Sequence, residues 1–147
     1  MNKDFEPNAV DFEFGVKRVN DAIKAWGKSL RSGIITSKDN GIQSLLDNLK
    51  VKNVPDNFMK WQLPFIFERS QLYVSVGNPN ASVPEHSHDE GDGIRYIVSG
   101  SINYQGKVLN AGDWMFIPQG KKYSFEVGNL GATMFYCYQC CCVGRLD

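Results

Sequence analysis

Residues 86–100 read HSHDEGDGIRYIVSG and residues 111–125 read AGDWMFIPQGKKYSF. The first stretch holds His86 and His88, the only two histidines in the chain. On an extended strand, residues i and i+2 project to the same side, so both imidazoles reach one point. Two neutral imidazoles that converge make a start on a site for a borderline divalent ion such as Zn, Fe, Mn, Ni or Cu. A pair of histidines two apart also describes two surface side chains beside an acidic turn, so the surrounding residues decide between the readings.

Gly100 and Gly112 stand where strands are expected to reverse and where positive φ or close backbone approach is useful. Pro118 ends the run Trp114–Ile117, as a proline at a strand end does. Together these positions resemble the two motifs of the cupin superfamily. His86 and His88 match the paired histidines, Gly100 the closing glycine of the first motif, and Gly112, Pro118 and Gly120 the second. The resemblance spans about residues 70–138. It implies a β-jelly-roll barrel whose mouth holds a divalent metal ion (Fe, Zn, Ni or Mn), with dioxygenase-, lyase-, isomerase- or decarboxylase-type chemistry on a small molecule.

The sequence departs from that pattern at two places. The family's glutamate follows the second histidine after three or four residues: four after His88 lead to Gly93, three lead to Asp92, and Glu90 is closer still. The third histidine is replaced by Tyr123, whose phenol, with an ordinary pKa of ~10, is a poor ligand for most divalent ions. The expected metal shell is therefore His86, His88 and one of Glu90 or Asp92, with Tyr123 as a further candidate, completed by water or substrate. The alternative is a metal-free cupin that binds or isomerises a small molecule such as a sugar or organic acid.

Arg95 is the next residue of interest. If Gly93 faces inward, strand alternation also sends Arg95 and Ile97 inward, where an arginine needs an anionic partner and is suited to clamp a carboxylate or phosphate. A slip of one residue would put it on the outer face. Tyr123 and Glu90 are the candidate proton movers, so the catalytic set is expected to be Tyr123, Glu90 and Arg95. Tyr96 and Tyr104 read as ordinary strand aromatics; Trp114, Phe116 and Phe125 read as core or pocket wall.

From about Phe58 onward, short aromatic and β-branched runs alternate with turn-formers such as Gly77-Asn78-Pro79-Asn80 and Gly91-Asp92-Gly93, an all-β texture. Expected strands are Phe65–Phe67, Gln71–Val76, Ile94–Val98, Ser101–Tyr104, Trp114–Ile117, Lys122–Val127 and Met134–Tyr138. Upstream, Val16, Val19, Ile23, Trp26 and Leu30 recur at helical spacing. Ile42, Leu45, Leu46 and Leu49 predict a second short helix capped by Asp39 or Asn40. The organisation expected is a helical extension over residues 1–55 that packs on a cupin barrel over residues 56–147, one structural domain in all.

Lys+Arg and Asp+Glu balance at 16 each, so there is no net basic field to gather nucleic acid or anionic lipid. No run approaches the ~20 apolar residues of a membrane span, and the polar, acidic start does not read as a signal peptide, so a cytoplasmic location is expected. Cys137, Cys140, Cys141 and Cys142 are too close together to staple a fold and suit a reducing compartment, their CxxC element lacking a second pair for zinc. The expected partners are a small-molecule substrate and a second copy in a homodimer, with no nucleic acid and no membrane.

Overall fold

A computed structural model describes residues 5–6 and 10–138. Two units divide the chain: Met1–Ser29 with Asn40–Ile66, and Leu30–Asp39 with the residues from Phe67 onward. Cys140, Cys141 and Cys142 lie outside the described residues; Cys137 is a half-buried free thiol.

The first unit holds helix α1 (Phe12–Trp26), helix α2 (Ile42–Asp47) and two short paired strands, which are numbered β2 (Lys50–Val51) and β3 (Lys60–Trp61) in chain order. Asp11 caps α1 by accepting the Phe14 N–H at 2.8 Å, and Gly27, at φ 75°, ends the helix with its N–H on Ile23 O. The apolar stripe places Val19 in the core as the spacing predicts, together with Ala22, whereas Leu30 falls beyond the glycine stop. The expected cap of α2 is not found. Gly41 occupies the N-cap position without a side-chain bond. Asp39, which belongs to the second unit, instead accepts the Thr36 N–H and hydroxyl and pairs with Lys107 of that same unit.

The second unit is a seven-stranded antiparallel sheet of β1 (Ile35–Thr36), β4 (Gln71–Gly77), β5 (Ser82–His86), β6 (Gly93–Tyr104), β7 (Lys107–Asn110), β8 (Trp114–Ile117) and β9 (Tyr123–Tyr138). The all-β class read from the sequence is what the structure has. β1 pairs with β8, although it lies upstream of the boundary expected near residue 55. β6 pairs with β8 through Gly93–Tyr96 and with β7 through Ser101–Tyr104, and lies along β9 for most of its length. β9 in turn carries β5 on its first part and β4 on its last. The sheet thus bends around these two long strands in the jelly-roll manner, and Phe65–Phe67, expected as a strand, is not one.

Four expected strands merge into two. Ile94–Val98 and Ser101–Tyr104 are one strand, and so are Lys122–Val127 and Met134–Tyr138. Gly100 does not reverse the chain; at φ 72° it bends β6 beside Gly131, at φ 79°, where the β6–β9 register shifts. Gly112, at φ 92°, does sit in a reversal, between β7 and β8. β5 was not foreseen because Pro84 interrupts it, and the pairing with β9 shifts between Val83 and His86 at that residue.

Inward alternation builds the core. Ile97, Ile102, Leu109, Met115 and Ile117 are fully or almost fully buried, joined by Tyr104, Tyr123, Phe125, Val127, Met134 and Tyr136. Each such aliphatic side chain removed from water contributes about 1.5–3 kcal/mol, so burial along β6, β8 and β9 outweighs any single hydrogen bond near the site.

A side chain at Gly100 would place its Cβ 2.8 Å from Gly131 C and 2.9 Å from Ala132 Cα, backbone atoms that have nowhere to go. Gly100→Ala is expected to cost about 2–4 kcal/mol from overpacking and left-handed strain combined. Gly106→Ala, at φ 80° with nothing within 4 Å, should cost about 1 kcal/mol. Urea unfolding of the two variants measures the difference; equal losses would show that the β6–β9 corner is not tightly packed.

Candidate functional site

β5 brings His86 to the edge of the sheet opposite Tyr123 of β9. The chain then leaves the strand, so His88 arrives from a loop and not by strand alternation. That loop is fixed: the Gly120 N–H donates to His88 O at 2.9 Å, and the Gln119 side chain donates to Asp89 O at 2.7 Å. The two imidazoles still meet, edge to face, with ring centroids 5.0 Å apart. Pro84 O lies 2.8 Å from His86 Nδ1, which donates to it.

Tyr123 links the histidines to the interior. Its ring lies 4.5 Å from that of His86, and its hydroxyl is 3.2 Å from His88 Nε2 and 3.4 Å from Arg95 Nη2. Since a guanidinium only donates, Tyr123 accepts from Arg95; it donates to His88 in the tautomer whose Nε2 carries no proton. Tyr136 and Tyr138 complete the aromatic wall, with ring centroids 5.5 and 5.1 Å from His88.

Alternation along β6 places Gly93, Arg95 and Ile97 on the buried face, and Arg95 is only 8% exposed. Its guanidinium carbon lies 4.6 Å from the centre of the Tyr136 ring and 5.1 Å from that of Phe125, a cation held between two π faces. Its polar contacts are stretched: Ser75 Oγ at 3.4 Å, Met134 Sδ at 3.8 Å and the Tyr123 hydroxyl at 3.4 Å. Nε has no partner among the described residues. No carboxylate is among its partners, an unusual position for a group that keeps its charge.

The expected carboxylates do not join the histidines. Asp92 is buried, but its oxygens take the Arg31 guanidinium at 3.1 and 3.3 Å and the Gln119 N–H at 2.8 Å. Glu90 enters through its backbone, whose N–H donates to the Tyr138 hydroxyl at 3.1 Å. Among the described residues no group of three or more His, Cys, Asp or Glu converges. At Gly93, where the family pattern has glutamate, an added Cβ would collide with the Tyr136 hydroxyl and lie 2.8 Å from two of its ring carbons. The phenol therefore fills the place of that side chain. Burial pushes its pKa far above the usual tyrosine range, so it stays neutral and supplies no negative charge.

Among the described residues the donors do not fit a resident divalent ion: no third His, Cys, Asp or Glu joins His86 and His88, and a cation on His88 Nε2 would sit beside the Tyr123 hydroxyl with the Arg95 charge behind it. The same groups suit an anion.

Of the residues brought together here, His86, His88, Arg95 and Tyr123 are among the candidates named from the sequence, while Tyr136, Tyr138, Ser75 and Met134 are not. The period-two run Met134, Tyr136, Tyr138 is the local signal for three of these, since it puts them on one face of one strand.

No family model matches the chain, and no curated protein matches it. Among solved structures, it is similar to an RmlC-like cupin from Shewanella frigidimarina NCIMB 400, at 23% identity over 48% of this chain and 65% of that one, TM-score 0.42. It is also similar to a protein of unknown function with a cupin-like fold from Ralstonia eutropha JMP134, at 19% identity over 50% of this chain and 48% of that one, TM-score 0.44. A third likeness is to a cupin protein from Bacteroides fragilis, at 27% identity over 55% and 72%, TM-score 0.41. The chain spans less than two thirds of the first two structures.

Burial, and then the positive fields of His86 and Arg95, hold the His88 pKa below its ordinary 6.5. The unfolded chain consequently binds its proton first, and His88 lowers stability as pH falls through 6.5, until the folded-state imidazole also protonates. The urea midpoint should fall between about pH 7.5 and about pH 5.5, and His88→Gln should flatten part of that slope. An unchanged slope in the variant would show that His88 is not the group responsible.

Proposed function

We propose that this cupin-like barrel binds a small organic anion, carboxylate or phosphate, at Arg95 without a resident metal, and moves a proton on it through Tyr123 and His88. The observation that carries this reading is the buried guanidinium of Arg95, held between Phe125 and Tyr136 with only stretched hydrogen bonds and no carboxylate partner.

Arg95 anchors the anion by a charge-assisted pair in a site of low dielectric. Tyr123 stands between Arg95 and His88, so its oxygen receives an N–H, and with the His88 Nδ1–H tautomer its proton faces His88 Nε2. Donation from Arg95 stabilises a developing phenolate, and His88, held neutral by its surroundings, is able to take the proton. His86 supports this by sitting against the Tyr123 ring. A ligand anchored by its anionic group presents its neighbouring carbon or hydroxyl to this pair, which suits proton transfer next to a carbonyl, as in an isomerisation or a lyase-type elimination. Asp92 plays a structural part, tying Arg31 to the turn at Gln119.

Thermal shifts with a panel of organic acids and sugar phosphates, each with and without a chelator, test the reading. At least one organic anion should raise the melting temperature equally in both conditions, since a ligand that binds the native state stabilises it. Arg95→Met should abolish that response while raising the intrinsic stability by about 1–3 kcal/mol, because it removes a buried charge without a counter-ion. A shift produced by a divalent metal alone, abolished by chelator and by His86→Ala/His88→Ala, would overturn the proposal in favour of a metal site.

A further inference from the structure

Two polar side-chain atoms in the second unit are buried without a hydrogen-bond partner among the described residues: Arg95 Nε and the Tyr136 hydroxyl. Their residues are 8% and 7% exposed, and the Arg95 guanidinium carbon lies 4.6 Å from the centre of the Tyr136 ring. A buried donor left unmade is costly, and native proteins retain few of them, so each asks for an explanation. We infer that the site takes a monocarboxylate, gripped edge-on by Nε and Nη2 of Arg95 and further held by the Tyr136 hydroxyl. This rests on the anion reading above and narrows it to one class.

The geometry of the guanidinium argues for this edge. Nη1 is turned to Ser75 and Met134, on the far side from Nε. Nη2, which shares an edge with Nε, gives one stretched bond to Tyr123, so one of its hydrogens and the Nε hydrogen are left. Two parallel N–H bonds on one edge match the two oxygens of a carboxylate. Nη2 carries the bond to Tyr123 on its other hydrogen, so a carboxylate on the Nε–Nη2 edge lies next to Tyr123, and its neighbouring carbon falls near the Tyr123–His88 pair.

Charge argues for a monoanion. Arg95 is the only fixed cation among these groups; the titratable side chains around it and His88 are His86, Tyr123, Tyr136, Tyr138, Cys137 and, on the His88 loop, Asp89, whose negative field reaches His88. His88 is held neutral at pH 7 by burial and by the fields of His86 and Arg95. A single negative charge cancels that of Arg95. A phosphate dianion would leave one charge buried and uncompensated, which carries a large penalty. Tyr136 adds a donor that remains a donor, because burial keeps it protonated.

The test follows the Arg95 Nε–H signal by NMR in the intact protein at about pH 7.5, while acetate, lactate, pyruvate or benzoate is added, and in parallel inorganic phosphate or sulfate. At least one carboxylate should move that signal downfield and saturate. Phosphate and sulfate should bind at least about tenfold more weakly. Tyr136→Phe should weaken carboxylate binding by about tenfold or more while leaving the melting temperature unchanged or raised, since it deletes an unpartnered buried hydroxyl. Dianions that bind as tightly as carboxylates would overturn the carboxylate class and leave the anion reading standing. Carboxylates that bind without moving Nε–H, or equally well to Tyr136→Phe, would overturn the edge-on geometry. If neither class of anion perturbs the signal, the anion reading itself falls, and this inference with it.

Discussion

The ladder between β6 and β9 carries every other strand of the sheet. β8 and β7 hang on β6, β4 and β5 hang on β9, and β1 hangs on β8. For one pair of strands to serve so many neighbours it must curve without losing its hydrogen bonds, and the constraint that allows this is the facing of Gly100 and Gly131. Both lie in the left-handed region, and the backbones approach too closely for any Cβ at Gly100. The inner face of that curved pair supplies Arg95, Tyr123, Phe125, Met134 and Tyr136. The site is therefore a by-product of the ladder's register: a slip of β6 by one residue would turn Arg95 outward, and a slip of β9 would turn the other four.

Around this frame the site departs from the cupin pattern that the sequence resembles. The phenol of Tyr136 on β9 takes the space beside Gly93, and Tyr123 stands at the place of that pattern's third histidine, its hydroxyl between a guanidinium and an imidazole. Neither group is an anionic ligand, and Arg95 brings a positive charge to the same place, so the local field differs from what paired histidines alone suggest.

What the sequence disclosed follows the range over which its signals act. Strand alternation is local, so Gly93, Arg95 and Ile97 were correctly related to one another. Glycine and proline report backbone shape within a few residues, so Gly112 and Pro118 were read correctly. Gly100 was given a reversal because its bend depends on a partner strand about thirty positions away. The destination of Asp92 depended on Arg31, sixty-one residues upstream, and the filling of Gly93 depended on Tyr136. Neither pairing leaves a local trace. The helix cap failed for a similar reason: Asp39 was within reach of α2, but Thr36 and Lys107 offered it more bonds.

The contact between Gly93 and Tyr136 also acts as an interlock on how the molecule is able to vary. A side chain at position 93 collides with the phenol that stands there, and shrinking the phenol strips one aromatic face from Arg95. Either single change damages the protein, by collision in one case and by a loosened buried charge in the other. The two positions are therefore coupled by packing, and the character of the site around Arg95 is set by a steric fit as much as by charge.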